Sequence, residues 1–182
     1  AVDREAVNES LFFGLALEGN NTMLPSSALY KEHYQKQWAE YDPDLAGELL
    51  DEIGLTDYND DDIRLLPDGR PAEIIIETAG EDTEQTDVLE LIAESWAEVG
   101  IKLYIKPSQR EVFRNRIFSG QAQMSIWGGL ENGVATPQTS PEELAPTSQQ
   151  QLMGPKWGQY YDTSGKTGEA PDLPEAQELA AL

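Results

Sequence analysis

The sequence predicts an α/β fold in which helices flank a mainly parallel sheet. Three features predict it: a β-branched apolar run at residues 72–78, strict alternation at 101–105, and two stretches of helical periodicity that alternate with these strand-like runs through short connections. Strands joined this way, each through a helix, form parallel sheets with right-handed crossovers.

Each element has a local reason. Ala72 to Thr78 (AEIIIET) has the composition of a short buried strand. Asp82 or Thr83 can cap the helix that follows, which carries Val88, Leu89, Ile92, Trp96 and Val99 at helical spacing. Gly100 suits the left-handed position that ends such a helix. Ile101, Leu103 and Ile105 then alternate with Lys102, Tyr104 and Lys106, the period of a half-buried strand, which Pro107 ends. A second helix, about Gln109 to Phe118, sets Val112, Phe113 and Ile117 on one side and stops at Gly120, and Gln121 to Trp127 (QAQMSIW) reads as a third strand.

The flanks are less regular. Ala1 to Val7 reads as a helix already under way, with Ala6, Val7 and Leu11 on its apolar face and Gly14 as its stop. Asp42-Pro43 opens a short helix with Leu45, Leu49, Leu50 and Ile53 on its buried side, closed by Gly54. Asp57 to Gly69 is an acidic turn region. Residues 128–172 form a loop-rich insert whose clearest local signal is a helical turn opened by Ser140, and Pro174 to Leu182 is helix-like. Both ends fall inside helix-like runs, so the expectation is a single lobe, residues 1–182, of a larger protein.

Composition narrows the function classes. Twelve basic residues against 34 acidic ones give a net charge of −22, which disfavours nucleic acid and anionic membranes because no basic patch is present to release counterions. With no cysteine, disulfides and thiol chemistry are excluded, and the single His33 lies in a polar run and leaves no His-rich metal site. Asp57, Asn59, Asp61 and Asp68 imitate part of a calcium loop, but Asp62 stands where glycine is needed and no glutamate closes the loop. No phosphate-binding glycine loop or nucleophile elbow occurs. No cofactor or metal is expected.

Ligand chemistry in an open parallel sheet gathers beyond the carboxyl ends of the strands. There the third strand runs into Trp127, Gly128, Gly129, Glu131 and Asn132, which offer an aromatic face, backbone open to close approach, and polar groups. Trp127 equally fits a core position, with the glycines only turning the chain. Arg110 and Arg114, four apart on one helix face, suit a ligand carboxylate or pairing with local acids such as Glu111.

Four segments, in order, resemble family 5 of the bacterial solute-binding proteins, the dipeptide- and oligopeptide-binding group that serves ABC importers. Ala1-Val2-Asp3-Arg4-Glu5-Ala6-Val7 resembles its A-I-D-R-E-x-I helix. Tyr41-Asp42-Pro43 with Ala46, Leu49, Leu50 and Gly54 resembles Y-D-P-x-x-A-x-x-L-L-x-x-x-G. Residues 94–105 (ESWAEVGIKLYI) are similar to x-x-L-x-x-V-G-I-x-V-x-I, and Ser125-Ile126-Trp127-Gly128-Gly129 stands at the family's ligand-facing strand end.

The resemblance implies the C-terminal lobe of a type II periplasmic-binding-protein-like fold that closes with a first lobe around its ligand. It also implies a binding protein rather than an enzyme, located outside the cytoplasm, working with ABC permease subunits and touching the membrane only through them or a lipid anchor. The ligand would be a short peptide or an oligosaccharide. Peptide-binding members carry an aspartate in a D-x-x-D-P-like segment after their tryptophan. Residues 130–137 (LENGVATP) replace it here, with Glu131 as the available charge. A secreted carboxylate-dependent hydrolase domain and a partner-binding domain without a small ligand are the competing expectations.

Overall fold

A computed structural model describes residues 1–128, 141–151 and 154–181. The described chain contains helices α1 (Arg4–Phe12), α2 (Glu32–Lys36) and α3 (Pro43–Glu52), strand β1 (Glu73–Thr78), helix α4 (Thr83–Ala97), strand β2 (Lys102–Pro107), helix α5 (Arg110–Phe118) and strand β3 (Met124–Ser125). Helices α6 (Pro141–Leu144), α7 (Pro155–Asp162) and α8 (Pro174–Ala181) follow, with a 3-10 turn at Gln149–Gln151. The sheet order is β2-β1-β3 and both pairings are parallel, as the strand–helix–strand order requires. α1 packs on α4, α4 on β2, and α5 touches α7.

The core sits where α4 turns into β2. Ile63, Ala72, Val99 and Ile101 are buried together, and Ala46, Leu50, Ile74 and Trp96 pack against them. Gly100 is left-handed (φ 80°), and a Cβ there would lie 2.8 Å from Arg64 Cγ and 2.9 Å from Tyr58 Cε1. Gly100→Ala therefore combines backbone strain with overpacking and is expected to lower unfolding free energy by about 1–3 kcal/mol, read from the urea midpoint.

Several expectations are corrected. The first helix begins within the chain at Arg4, where the Asp3 side chain accepts from Ala6 N, and it ends on Phe13, itself left-handed (φ 54°), one residue before Gly14. The face expected to be buried on α3 is largely open: Leu45 is 39%, Leu49 40% and Ile53 70% exposed, while Leu50 and Ala46 alone reach the core. β1 is buried only from Ile76 onward, with Ile75 exposed.

The third strand is two residues long rather than seven. Only Met124 and Ser125 pair with Ile76 and Glu77. At Ile75 the Gln123 side chain takes over the ladder, its Oε1 accepting from Ile75 N (2.9 Å). Within the expected loop-rich insert lies a two-turn helix, α7. It is tightly packed, since a Cβ at Gly158 would fall 2.3 Å from the Ser148 carbonyl carbon. The acidic turn is organised by Asn59, whose Oδ1 accepts from the backbone N–H groups of Asp61 and Ile63 (3.0 and 2.9 Å), and by Asp68, which is paired with Arg70.

Candidate ligand cleft at the carboxyl ends of the strands

The carboxyl ends of β1, β2 and β3 converge on one edge of the sheet. β1 runs into Ala79-Gly80-Glu81-Asp82, β2 into Ser108-Gln109-Arg110, and β3 into Ile126-Trp127-Gly128. A recess of about 370 Å³ opens there, lined by Ala79, Glu81, Asp82, Gln85, Arg110, Trp127 and Gly128. A second, of about 450 Å³, shares Ala79, Glu81 and Arg110 and continues over Gly80 and Ser108.

Local chemistry places each wall. Thr78 O accepts from Ser108 N (3.1 Å), so the loops after β1 and β2 are tied together. Gly80 (φ 66°) allows their close approach, since a Cβ would stand 3.3 Å from both Pro107 Cβ and Ser108 O. Asp82 caps α4 through Glu84 N (2.9 Å). Ser108 Oγ is buried and has no hydrogen-bond partner among the described residues.

Trp127 is both packed and open. Its ring stacks on Phe113 with centroids 5.5 Å apart and planes 16° from parallel, while the residue remains 36% exposed. The Arg110 guanidinium lies 5.3 Å from the indole centroid. Arg110 Nε donates to both Glu81 carboxylate oxygens (2.9 and 3.0 Å), and Nη2 to Oε2 (2.5 Å). That contact holds the Glu81 carboxyl below its usual range and pushes the Arg110 guanidinium further up.

Of the seven site residues expected from sequence, Trp127, Gly128 and Arg110 come together here. Arg114 does not: its guanidinium lies over Phe118 (5.2 Å) and Nη2 donates to Gln150 Oε1. Gly129, Glu131 and Asn132 lie outside the described residues. The partner of Arg110 is Glu81 rather than Glu111. Glu81 and Gly80 were missed by sequence reasoning, although their place directly after the first strand was a signal for them.

Behind the cleft lies a second missed feature, a buried ion pair. Glu77, 1% exposed, accepts from Arg116 Nε (2.9 and 2.7 Å) and Nη2 (2.6 Å), with Lys106 Nζ at 3.6 Å. The Arg116 hydrogen bonds hold the Glu77 carboxyl below its ordinary range, against the opposing effect of burial. The backbone oxygen of Glu77 accepts from Ile126 N (3.1 Å), next to Trp127. A larger recess of about 580 Å³ beside α1 includes Arg4 and Lys36 in its wall. Both cations are already engaged there, Arg4 with Ala39 O and Asn20 and Lys36 with Glu32.

Residues 1–152 match the family described as "Bacterial extracellular solute-binding proteins, family 5 Middle". The chain belongs to this family. It is similar to the heme-binding protein A of Haemophilus influenzae, 26% identical over 128 residues, which are 70% of this chain and 21% of that protein. Among solved structures it is similar to an oligopeptide-binding protein OppA, with TM-score 0.82 and 31% identity over 99% of this chain and 30% of that one. It also shares its fold with the binding protein MelB of Agrobacterium fabrum, solved with stachyose, with TM-score 0.72 and 19% identity over 99% of this chain and 26% of that one. The chain thus spans less than a third of the length of each of these proteins. The parallel three-stranded sheet flanked by helices is the periplasmic-binding-protein-like architecture of these family 5 structures. Among the described residues no helix is long and apolar enough to cross a membrane.

Proposed function

We propose that this chain is one lobe of the substrate-binding component of an ABC importer, that it holds a small solute in the cleft at Trp127, and that it performs no catalysis. The observation that carries the reading is the convergence of Trp127, Gly128, Arg110 and Glu81 at the carboxyl ends of three parallel strands, the position where open α/β sheets take ligands. The solute is a short peptide or an oligosaccharide, the first in the name of one similar structure and the second bound in another. Gly129, Glu131 and Asn132, which lie outside the described residues, are carried as further ligand-contact candidates on their place in the sequence directly after Gly128.

A first lobe closes over the cleft, the loaded protein docks on permease subunits, and binding takes place outside the cytoplasmic membrane. Exposed apolar side chains at Phe13, Leu15 and Leu17 (84%, 86% and 89%) support a further body packing on this lobe.

The test compares the complete protein with its Trp127→Ala variant. Both are purified from the native host, and the small molecules they retain are identified by mass spectrometry. The parent is expected to retain a defined solute, and the variant about a tenth of it or less at unchanged circular dichroism. Equal retention by both proteins contradicts a Trp127 site.

A further inference from the structure

We infer that the solute is an uncharged, hydroxyl-rich molecule of oligosaccharide type, held by Trp127 and the Glu81–Arg110 pair, and not a peptide anchored through its carboxylate. This rests on the cleft described above and narrows its ligand class.

Charge is the first argument. A carboxylate needs an uncommitted cation, and Arg110, the cation lining the described cleft, is forked onto Glu81 through three contacts of 2.5–3.0 Å. Arg116 is committed to Glu77, and Arg114 points to Gln150. Asp82 adds a second carboxylate, so Glu81, Asp82 and Arg110 together leave the wall with one negative charge. A ligand carboxylate would have to share Arg110 with Glu81, on the guanidinium edge that Glu81 leaves open, and face Asp82 as well. A neutral ligand does neither, and it does not pay the desolvation of a charge.

Hydrogen-bonding capacity is the second. Among the described residues the ion pair leaves Arg110 Nη1 and part of Nη2 as donors, and lone pairs on Glu81 as acceptors. Gln85 adds an amide with both functions. A hydroxyl group is itself both donor and acceptor, so a polyol matches this mixed wall better than an anion, which only accepts.

Shape is the third. Trp127, anchored from below by Phe113 and 36% exposed, gives a flat apolar surface on which the C–H face of a sugar ring packs. Among the described residues a Cβ built on Gly128 meets nothing within 4 Å, so the backbone beside the indole is open to close approach.

Calorimetry on the complete protein decides it, with raffinose, maltotriose and mannotriose on one side and trialanine, tetra-alanine and their C-terminal amides on the other. At least one neutral sugar is expected to bind, with affinity falling about tenfold or more in Trp127→Ala. Glu81→Gln is expected to weaken sugar binding and, by freeing Arg110, to admit the peptide acids but not their amides. Circular dichroism confirms the fold of each variant. Binding of the peptide acids to the parent protein, lost on amidation and in Arg110→Gln, overturns the ligand class while leaving the cleft as the site. Binding of none of the sugars also overturns the inference. Sugar binding indifferent to Trp127→Ala overturns both the ligand class and the site.

Discussion

Arg64→Ala is expected to lower the unfolding free energy by about 3–5 kcal/mol, the largest loss for a single side chain outside the cleft. Arg64 is 3% exposed. Its Nε donates to Val99 O (2.8 Å), Nη1 to Leu55 O and the Asp51 carboxylate, and Nη2 to Gly47 O (3.3 Å), while its guanidinium lies 4.9 Å from the Tyr58 ring centroid. One planar group thus ties α3 and the turn after it to the turn between α4 and β2. Alanine leaves buried carbonyls without donors, each worth about 1–3 kcal/mol, and opens a void beside Gly100. Lysine restores the charge but not the fork, so Arg64→Lys is expected to recover less than half of the loss. Urea unfolding followed by circular dichroism measures both. A loss below about 1 kcal/mol in Arg64→Ala would contradict the role assigned to it.

Arg116→Ala comes next, at about 3 kcal/mol, because it strands the Glu77 carboxylate with only Lys106 nearby. The loss falls at the low end for a broken buried pair because the Arg116 side chain is itself 32% exposed. Replacing both residues with leucine is expected to be milder than Arg116→Ala, since no charge then remains buried unpaired. The pH dependence follows from the direction of the Glu77 shift. Its folded pKa lies below the ordinary 4.5, so the pair's stabilisation is fully present above pH 4.5 and is lost as pH falls through the lowered folded value. The difference between parent and Arg116→Ala is therefore expected to be widest above pH 4.5 and to shrink on acidification. A difference constant down to the acid limit would show that Arg116 acts through packing alone.

The two β-α units were legible because their signals are local. Val88, Leu89, Ile92, Trp96 and Val99 repeat at helical spacing, and Gly100 marks the end of their helix. The parallel sheet then follows from strand–helix–strand order. What stayed hidden depended on distant partners. Gln123 replaces a backbone rung at Ile75, 48 residues away, so the third strand reads longer in sequence than it pairs in space. Helix α7 is only eight residues long, and its packing depends on glycines, Gly158 and Gly168, through which it meets other segments at backbone distance. The open face of α3 carries apolar residues at helical spacing, and spacing alone cannot distinguish a face covered within this chain from one that is not.

The candidate site was legible as a place and only partly as a set of residues. The end of the third strand pointed to Trp127 and Gly128, and helix spacing pointed to Arg110. Arg114 shares that spacing but turns toward Gln150, because a helix face wide enough to hold residues four apart can still diverge at the tips of two long side chains. The place of Glu81 after the first strand was readable, but its pairing with Arg110 was not, because an ion pair across 29 residues leaves no sequence pattern and an acidic chain offers many candidate partners.

Hydrogen exchange on the complete protein, with and without the solute it retains from its native host, tests the location of the binding site most directly. The expected result is slowed exchange at residues 79–82, 107–110 and 126–128, the three loops at the carboxyl ends of the strands, with little change in α1 and α2. Protection confined to the recess beside α1, with none at those three loops, would contradict a ligand cleft at Trp127.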